Sequence, residues 1–203
     1  MEYKMNEKKL FTQAFVENGK KGVKDNEGNI LVPAMFDEIE FLWAEQNKRR
    51  PCVVDLDGKV GLVASDGKGT MLAECKYECG REIAFSDCYA FKDTNGKWGV
   101  INSQGKVCIP FAQDYIYMSK ESSYIFYDKG EKSGVYVEGL GLATDAVFDE
   151  VVEACADSVL KVKNEGKEGF VTTEGKFISK EDYDALNGKN ELDGIYLVSD
   201  VSF

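Results

Sequence analysis

Short apolar runs alternate with turn signals along almost the whole chain. One pair of such runs spans residues 98–101 and 106–110, with the polar segment 102–105 between them. Runs of this length, bounded by Gly, Asn and Asp, are typical of β-strands that tight turns connect. The pattern therefore predicts strands throughout, and residues 181–187 are the one place where a helical turn could form.

The spacing of one glycine indicates how the chain is organised. This glycine recurs at steps of 39, 38, 35 and 35 residues, at Gly22, Gly61, Gly99, Gly134 and Gly169. A polar residue and a glycine precede it in each copy, as in Asn18-Gly19 and Asp57-Gly58. Such pairs favour the hairpin turn in which both central residues are left-handed. A period of this length indicates tandem copies of one supersecondary unit that bury their apolar faces against each other.

These observations predict an all-β fold, a tandem array of short β-hairpin or meander repeats that is open and solenoid-like. We expect one repeat domain over residues 1–203, with units at approximately 10–50, 51–87, 88–122, 123–157 and 158–203. A five-bladed β-propeller is the alternative, because the first and last strands could pair and close a ring. Five runs precede a hairpin turn and a sixth run, 194–198, follows the last copy, which favours the open array.

The third copy resembles a known family. Its residues 96–110 read Gly-Lys-Trp-Gly-Val-Ile-Asn-Ser-Gln-Gly-Lys-Val-Cys-Ile-Pro. This segment is similar to the consensus of WG-repeat proteins, a bacterial tandem β-repeat family named for its Trp-Gly pair. In place of Trp98 the other copies have Lys21, Val60, Ser133 and Glu168. The resemblance extends over roughly residues 15–187, and it implies a β-repeat fold without a common catalytic function.

The charge balance argues against some classes of partner. The chain has 36 acidic and 25 basic residues, a formal net charge of −11, and its longest basic run is 48–50. Nucleic acids and anionic membranes attract clustered Lys and Arg, so we expect neither as a partner. The sequence shows no signal peptide and no apolar run of membrane-spanning length, and we therefore expect a cytoplasmic protein.

Several kinds of catalytic and metal site lack the residues that they need. The chain contains no histidine, which removes Ser-His-Asp and Cys-His catalysis and the common zinc hydrolase sites. Cys75 and Cys79 have the spacing of half a metal site, but no second pair of similar spacing follows. The six cysteines are more simply small core residues in a reducing compartment. We therefore expect no metal, no cofactor and no catalytic residue.

Aspartates recur at one place in the repeat, 15 residues after the repeated glycine. They are Asp37, Asp114, Asp149 and Asp184. Two carboxylates at a suitable separation would indicate a glycoside hydrolase. Acids that the repeat itself spaces would instead lie in a row, and we interpret each one as a residue that caps a turn with its side-chain oxygen.

Tyrosine, tryptophan and arginine dominate the energetics of protein interfaces when they are exposed. The candidate partner-binding residues of this type are Trp43, Arg49, Arg50, Tyr115, Tyr117 and Tyr124. Our leading hypothesis is a non-enzymatic binding or scaffold protein that presents a repeat-built β-surface to a protein partner. The alternatives are a carboxylate-based carbohydrate-active hydrolase and a purely structural accessory repeat protein.

Overall fold

The computed structural model describes residues 12–40, 50–84, 86–118, 124–154, 160–172 and 174–188, and these form five antiparallel sheets. The first sheet contains β1 (Thr12–Glu17), β2 (Lys20–Asp25) and β3 (Ile30–Phe36). The second contains β4 (Glu38–Glu40), β5 (Cys52–Leu56), β6 (Lys59–Val63) and β7 (Met71–Tyr77). Strands that follow one another in the chain are neighbours in each sheet, so each sheet is a meander.

The remaining sheets have the same four-stranded order. The third contains β8 (Cys79–Glu82), β9 (Cys88–Lys92), β10 (Trp98–Asn102) and β11 (Val107–Gln113). The fourth contains β12 (Tyr115–Met118), β13 (Tyr124–Lys129), β14 (Lys132–Val137) and β15 (Leu142–Ala143). The fifth contains β16 (Glu150–Ala154), β17 (Leu160–Asn164), β18 (Lys167–Val171) and β19 (Phe177–Ser179). The predicted all-β repeat fold is therefore confirmed, whereas the run 194–198, which bears on ring closure, lies outside the described residues.

The hairpin turns follow from local backbone requirements. Asn18 and Gly19 both have positive φ, at 50° and 80°, as the turn with two left-handed residues demands. The Asp57-Gly58 and Glu165-Gly166 turns have the same conformation. The Asn95-Gly96 pair does not, because only Gly96 has a positive φ there and the connection from β9 to β10 is longer.

The repeated glycine has a different physical role, which is close packing. None of its five positions has a positive φ. At Gly99 a Cβ atom would lie 2.7 Å from Cγ of Phe111, so the ring of the next strand occupies the space of the missing side chain. The ring of Phe15 lies over Gly22 in the same way, and that of Tyr127 lies over Gly134.

The chain divides into two compact units. One comprises residues 1–82, 88–94 and 101–106, and the other comprises residues 83–87, 95–100 and 107–203. In the first unit, one core joins two successive sheets through Val23, Leu31, Val32, Phe36, Cys52, Val54 and Val63. In the second unit, a core joins the last two sheets through Tyr124, Phe126, Val135, Val137, Phe148, Val162 and Val171. In both cores the apolar side chains of one sheet pack against those of the next sheet along the chain.

The last copy ends in a helix, α1 (Lys180–Gly188), that is longer than the single turn the sequence suggested. The hydroxyl of Ser179 accepts a hydrogen bond from the backbone N–H of Asp182 at 3.1 Å and donates one to the Asp182 carboxylate at 2.6 Å. These two hydrogen bonds cap the start of the helix. A serine followed three residues later by an acidic residue is a sequence pattern typical of helix starts. A membrane-spanning helix needs greater length and apolarity than any helix in the described part of the chain has.

Candidate functional site

The predicted partner-binding residues fall into three groups. Trp43 and Arg49 lie outside the described residues. Arg50 belongs to a half-buried ion pair in the first unit, and Tyr115, Tyr117 and Tyr124 belong to the fourth sheet. The structure therefore brings the three tyrosines together on two neighbouring strands, whereas Arg50 belongs to a different site.

Arg50 contributes to the interior of the first unit. Its Nη1 atom lies 2.5 Å from Oε1 of Glu82, a carboxylate whose side chain is 9% exposed. The hydroxyl of Tyr89 donates a hydrogen bond to the Pro51 carbonyl at 3.2 Å and also hydrogen-bonds with Arg50. Burial raises the pKa of Tyr89, so its hydroxyl stays neutral. These contacts favour a structural role for Arg50 over a role on a partner-binding surface.

The tyrosines form an aromatic ladder that runs from solvent into the core. Tyr115 is 55% exposed, and its ring centroid lies 6.0 Å from that of Tyr117 on the same face of β12. Tyr117 is half-buried and packs against Phe126 at 5.4 Å, and burial raises the pKa of its hydroxyl. Tyr124 is a core residue with only 2% of its surface exposed, which removes it from the candidate contact surface.

The recurring aspartates form a second arrangement, which we call the corner clamp. Three of these aspartates each lie directly before the first strand of a sheet. Asp37 precedes β4, Asp114 precedes β12 and Asp149 precedes β16. In each clamp one carboxylate oxygen accepts from a lysine ammonium and the other accepts from a backbone N–H in the next hairpin turn. The lysines are Lys20, Lys97 and Lys132, and the backbone donors are Asp57, Gly130 and Gly166.

The geometry of the clamp is nearly the same in each copy. The Lys20 and Lys97 ammonium groups lie 2.5 Å from Oδ1 of Asp37 and Asp114, and the amide distances to Oδ2 are 2.7–3.0 Å in all three clamps. The Lys20 hydrogen bond, and after it the amide of Asp57, holds the pKa of Asp37 below its ordinary value. The Asp149 pKa is lowered by Lys132 and then by Gly166, and that of Asp114 by Gly130 and then by Lys97.

The prediction that the recurring aspartates cap turns is confirmed for these three and is wrong for Asp184. Asp184 lies within α1 and pairs with Lys180, four residues earlier, at 2.5 Å. The lysine partners were missed in the sequence, although a signal was there. Every copy has a lysine two residues before its repeated glycine, at Lys20, Lys59, Lys97, Lys132 and Lys167.

The described cysteines are Cys52, Cys75, Cys79, Cys88 and Cys108. In the part of the chain that the structure describes, no three His, Cys, Asp or Glu side chains are grouped to hold a metal ion. Burial raises the pKa of the Cys52 thiol to about 11, and this thiol lies 3.8 Å from the Ser65 hydroxyl. A thiol with so high a pKa is protonated at neutral pH and is a poor nucleophile or metal ligand.

Comparisons with known proteins give a match to one family model and distant likenesses to solved structures. No curated protein matches the chain. A computationally designed protein, Ika8, shares 14% identity and a TM-score of 0.35 over 85% of this chain and 58% of its own. A crystal structure titled as the eukaryotic initiation factor shares 12% identity and a TM-score of 0.34 over 88% of this chain. This chain therefore spans less than two thirds of either structure's length, 58% and 64%.

The family match falls on the segments that the glycine period singled out. The family model described as the WG containing repeat matches residues 22–45 and 98–132. The first segment begins at Gly22 and the second at Trp98, so both matches begin at the Trp-Gly position of a copy. Residues 22–45 and 98–132 therefore match the WG containing repeat, the family that the third copy resembles.

Proposed function

We propose that this chain is a non-enzymatic binding or scaffold protein that presents its repeat-built β-surface to a protein partner. The observation that carries the proposal is the aromatic ladder. Tyr115 offers a ring that is 55% exposed, and Tyr117 connects that ring to the core residue Phe126. An exposed aromatic ring that neighbouring rings hold in place loses little conformational entropy on binding, which is the property of an interface anchor.

The charges around the ladder bear on the chemistry of the partner. Asp114 precedes Tyr115 in the chain, and Asp128 faces Tyr115 on β13. With the net charge of −11, these carboxylates favour a partner whose contact surface is neutral or basic. Nucleic acid does not fit this proposal, because it would require a cluster of basic residues.

The hydrolase alternative has less support, because the recurring carboxylates are already engaged. Both oxygens of Asp37, Asp114 and Asp149 accept hydrogen bonds within the clamps. A glycosidase general acid requires a raised pKa, whereas the pKa values of these three are lowered. The clamps also fit the third hypothesis, a purely structural repeat, and partner capture separates that hypothesis from binding.

The test is a quantitative pull-down from a native lysate with mass spectrometry. The wild-type chain is compared with Tyr115→Ser and with Val147→Ser, a control that replaces another exposed apolar residue of the second unit, 44% exposed. We expect proteins that the wild type and Val147→Ser retain and that Tyr115→Ser loses. Equal retention by all three variants would contradict a role for the ladder. Release of reducing sugar from a polysaccharide panel would instead favour the hydrolase.

A further inference from the structure

The first sheet has one strand fewer than the other sheets in the described part of the chain. Each four-stranded sheet begins with an opening strand that pairs with the strand before the hairpin, and these opening strands are β4, β8, β12 and β16. In the first sheet β1 itself precedes the hairpin, and among the described residues it pairs only with β2. No described strand therefore takes the opening position beside β1.

The residues of β1 are exposed where those of the equivalent strands are buried. Val16 is 65% exposed, and Ala14 is exposed as well. Counted from the hairpin turn, Ala14 corresponds to Val53 in β5 and to Phe126 in β13, which are 5% and 2% exposed. The β1 strand is therefore accessible to a partner.

One backbone acceptor of β1 is an acceptor that all four other sheets use. In those sheets the residue just before the opening strand donates its backbone N–H to a carbonyl near the end of the neighbouring strand. The donors and acceptors are Asp37 and Asp55, Glu78 and Lys92, Asp114 and Asp128, and Asp149 and Lys163, at 2.7–2.9 Å. Counted from the turn, Val16 is the equivalent of Asp55 and Asp128. Among the described residues, no equivalent donor reaches the Val16 carbonyl.

The backbone groups of two β1 residues face away from β2. Glu17 and Lys20 flank the two-residue turn and form the hydrogen-bonded pair nearest to it. Because hydrogen-bonded and non-hydrogen-bonded pairs alternate along an antiparallel ladder, Val16 and Ala14 direct their N–H and C=O groups to the outer edge. Such a row of backbone groups is what an added peptide strand pairs with.

The chain itself shows which sequence fits beside such an edge. In three sheets the residue before the opening strand is an aspartate, and the second residue of the opening strand is Ile or Val. These second residues are Ile39, Ile116 and Val151, and they lie opposite Val54, Tyr127 and Val162. The residue of β1 at that position is Phe15. In the same three sheets the aspartate carboxylate accepts from an amide of the hairpin turn.

We propose that the outer edge of β1 binds an antiparallel strand of another protein, an acidic extended segment that reads Asp-x-Ile or Asp-x-Val. The aspartate of the segment donates its N–H to the Val16 carbonyl and accepts from an amide of the Asn18-Gly19 turn. The Ile or Val lies opposite Phe15. This inference goes beyond the proposed function, because it names a second contact site, in the first compact unit, that does not include the aromatic ladder.

Charge complementarity favours an acidic segment as the occupant. The Lys24 ammonium lies 5.7 Å from the centre of the Phe15 ring and forms no ion pair within the described residues. It therefore stands beside the site as a cation that a carboxylate of the segment can approach. A second copy of this chain does not fit. Two chains of net charge −11 repel each other, and the segments Asp37–Ile39 and Asp114–Ile116 already pair within their own sheets.

The test measures binding of a fluorescent peptide to the purified full chain by fluorescence anisotropy. The peptide is Met-Phe-Asp-Glu-Ile-Glu-Phe, the sequence of residues 35–41, and we expect saturable binding. Val16→Pro should weaken it by about tenfold, because proline removes an outward N–H and leaves the β2 ladder intact. The control Ile30→Thr, which replaces a residue of the same sheet that is 42% exposed, should bind like the wild type. Circular dichroism checks that both variants fold.

Two methylated peptides test the backbone pairing without any change to the protein. Methylation of the amide nitrogen of the first Glu removes a donor that faces β1. Methylation of the Ile nitrogen alters a group on the opposite side of the peptide. We expect the first peptide to bind about tenfold more weakly and the second to bind within about twofold of the unmodified peptide.

A wild-type chain that does not bind the peptide would overturn the inference. Equal binding by Val16→Pro and Ile30→Thr, or of the two methylated peptides, would overturn it as well. Residues 193–195 of this chain read Asp-Gly-Ile and lie outside the described residues. Peptide binding that appears only in Ile195→Lys would assign the edge to this chain's own sequence and reject another protein as the occupant.

These outcomes are separate from the outcome of the pull-down. The pull-down compares proteins that the chain retains or loses when Tyr115 is replaced, and a protein bound at β1 would be retained by all three of its variants. Failure of the peptide to bind would therefore leave the proposed function standing. Tyr115-independent capture together with peptide binding would reject the ladder and support the β1 site.

Discussion

Glycine has two separate roles in this chain, one set by backbone conformation and the other by close packing. Gly19 and Gly58 occupy left-handed turn positions, with φ of 80° and 71°, and a Cβ atom at either one would have no neighbour within 4 Å. Gly99 has an ordinary φ, but the Phe111 ring occupies its side-chain space. The left-handed backbone conformation requires the first kind of glycine. The ring of a neighbouring side chain, which leaves no room for a Cβ atom, requires the second.

Replacing Gly99 by alanine should lower the free energy of unfolding by about 1–3 kcal/mol, the usual penalty for overpacking a close contact. The added Cβ would lie 2.7 Å from Cγ of Phe111, so close that either the ring or its strand must shift. Urea unfolding measures the loss. In a Phe111→Ala background the same substitution should cost much less, because the ring is gone. An equal loss in both backgrounds would contradict steric crowding as the cause.

At the scale of the strand and the hairpin, the corner clamp connects one sheet to the next. The carboxylate of Asp149 contacts Lys132 in the hairpin before it and the backbone of Gly166 in the hairpin after it. Asp184 occupies the equivalent position of the last copy, but its carboxylate pairs with Lys180, one turn earlier in its own helix. The two aspartates therefore form a matched pair for measuring what a clamp contributes.

Asp149→Ala should lower the melting temperature by about 2–4 °C, the shift that loss of one capping hydrogen bond produces in a chain of this size. Asp184→Ala should change it by about 1 °C or less, because exposed ion pairs four residues apart in a helix contribute little. Differential scanning calorimetry on both variants makes the comparison. A larger effect at Asp184 than at Asp149 would show that the clamp adds no more than a surface ion pair.

At the scale of the whole molecule, both compact units contain clamps. Asp37 belongs to the first unit, and Asp114 and Asp149 belong to the second. Their carboxyl groups share one electrostatic property, since each has a pKa below the ordinary value of 3.8. The folded chain consequently binds fewer protons at these positions than the unfolded chain does in acid.

Stability should therefore fall in acid. The clamp contribution is fully present above the unfolded carboxyl pKa, and it is lost as the pH falls through 3.8 toward the lower folded values. Urea midpoints at about pH 7, 5 and 3 measure the loss. A chain with Asp37, Asp114 and Asp149 replaced by Asn should show a smaller acid dependence than the wild type. If the urea midpoints of both chains fell equally with pH, the clamps would not be the source of the acid dependence.

The sequence predicted those parts of the structure that depend on adjacent residues. The Asn18-Gly19 turn was predictable because its φ requirement is met by the two residues themselves. The helix α1 was underestimated, although the Ser179 cap is equally local. Burial was harder to predict, because Tyr115 and Tyr124 are the same residue type in the same sheet, yet one is 55% exposed and the other 2%. Their difference depends on which neighbouring strands cover each ring.

The amino-acid sequence by itself determined the repeat, the strands and most of the turns, because glycine spacing and apolar periodicity act over a few residues. The tertiary structure alone decided that Asp37, Asp114 and Asp149 meet a lysine of one hairpin and an amide of the next. It also decided that Arg50 pairs with Glu82 and that β12 lies at a sheet edge. Such contacts join residues 16 or more positions apart, and only the packing of one copy on another brings them together.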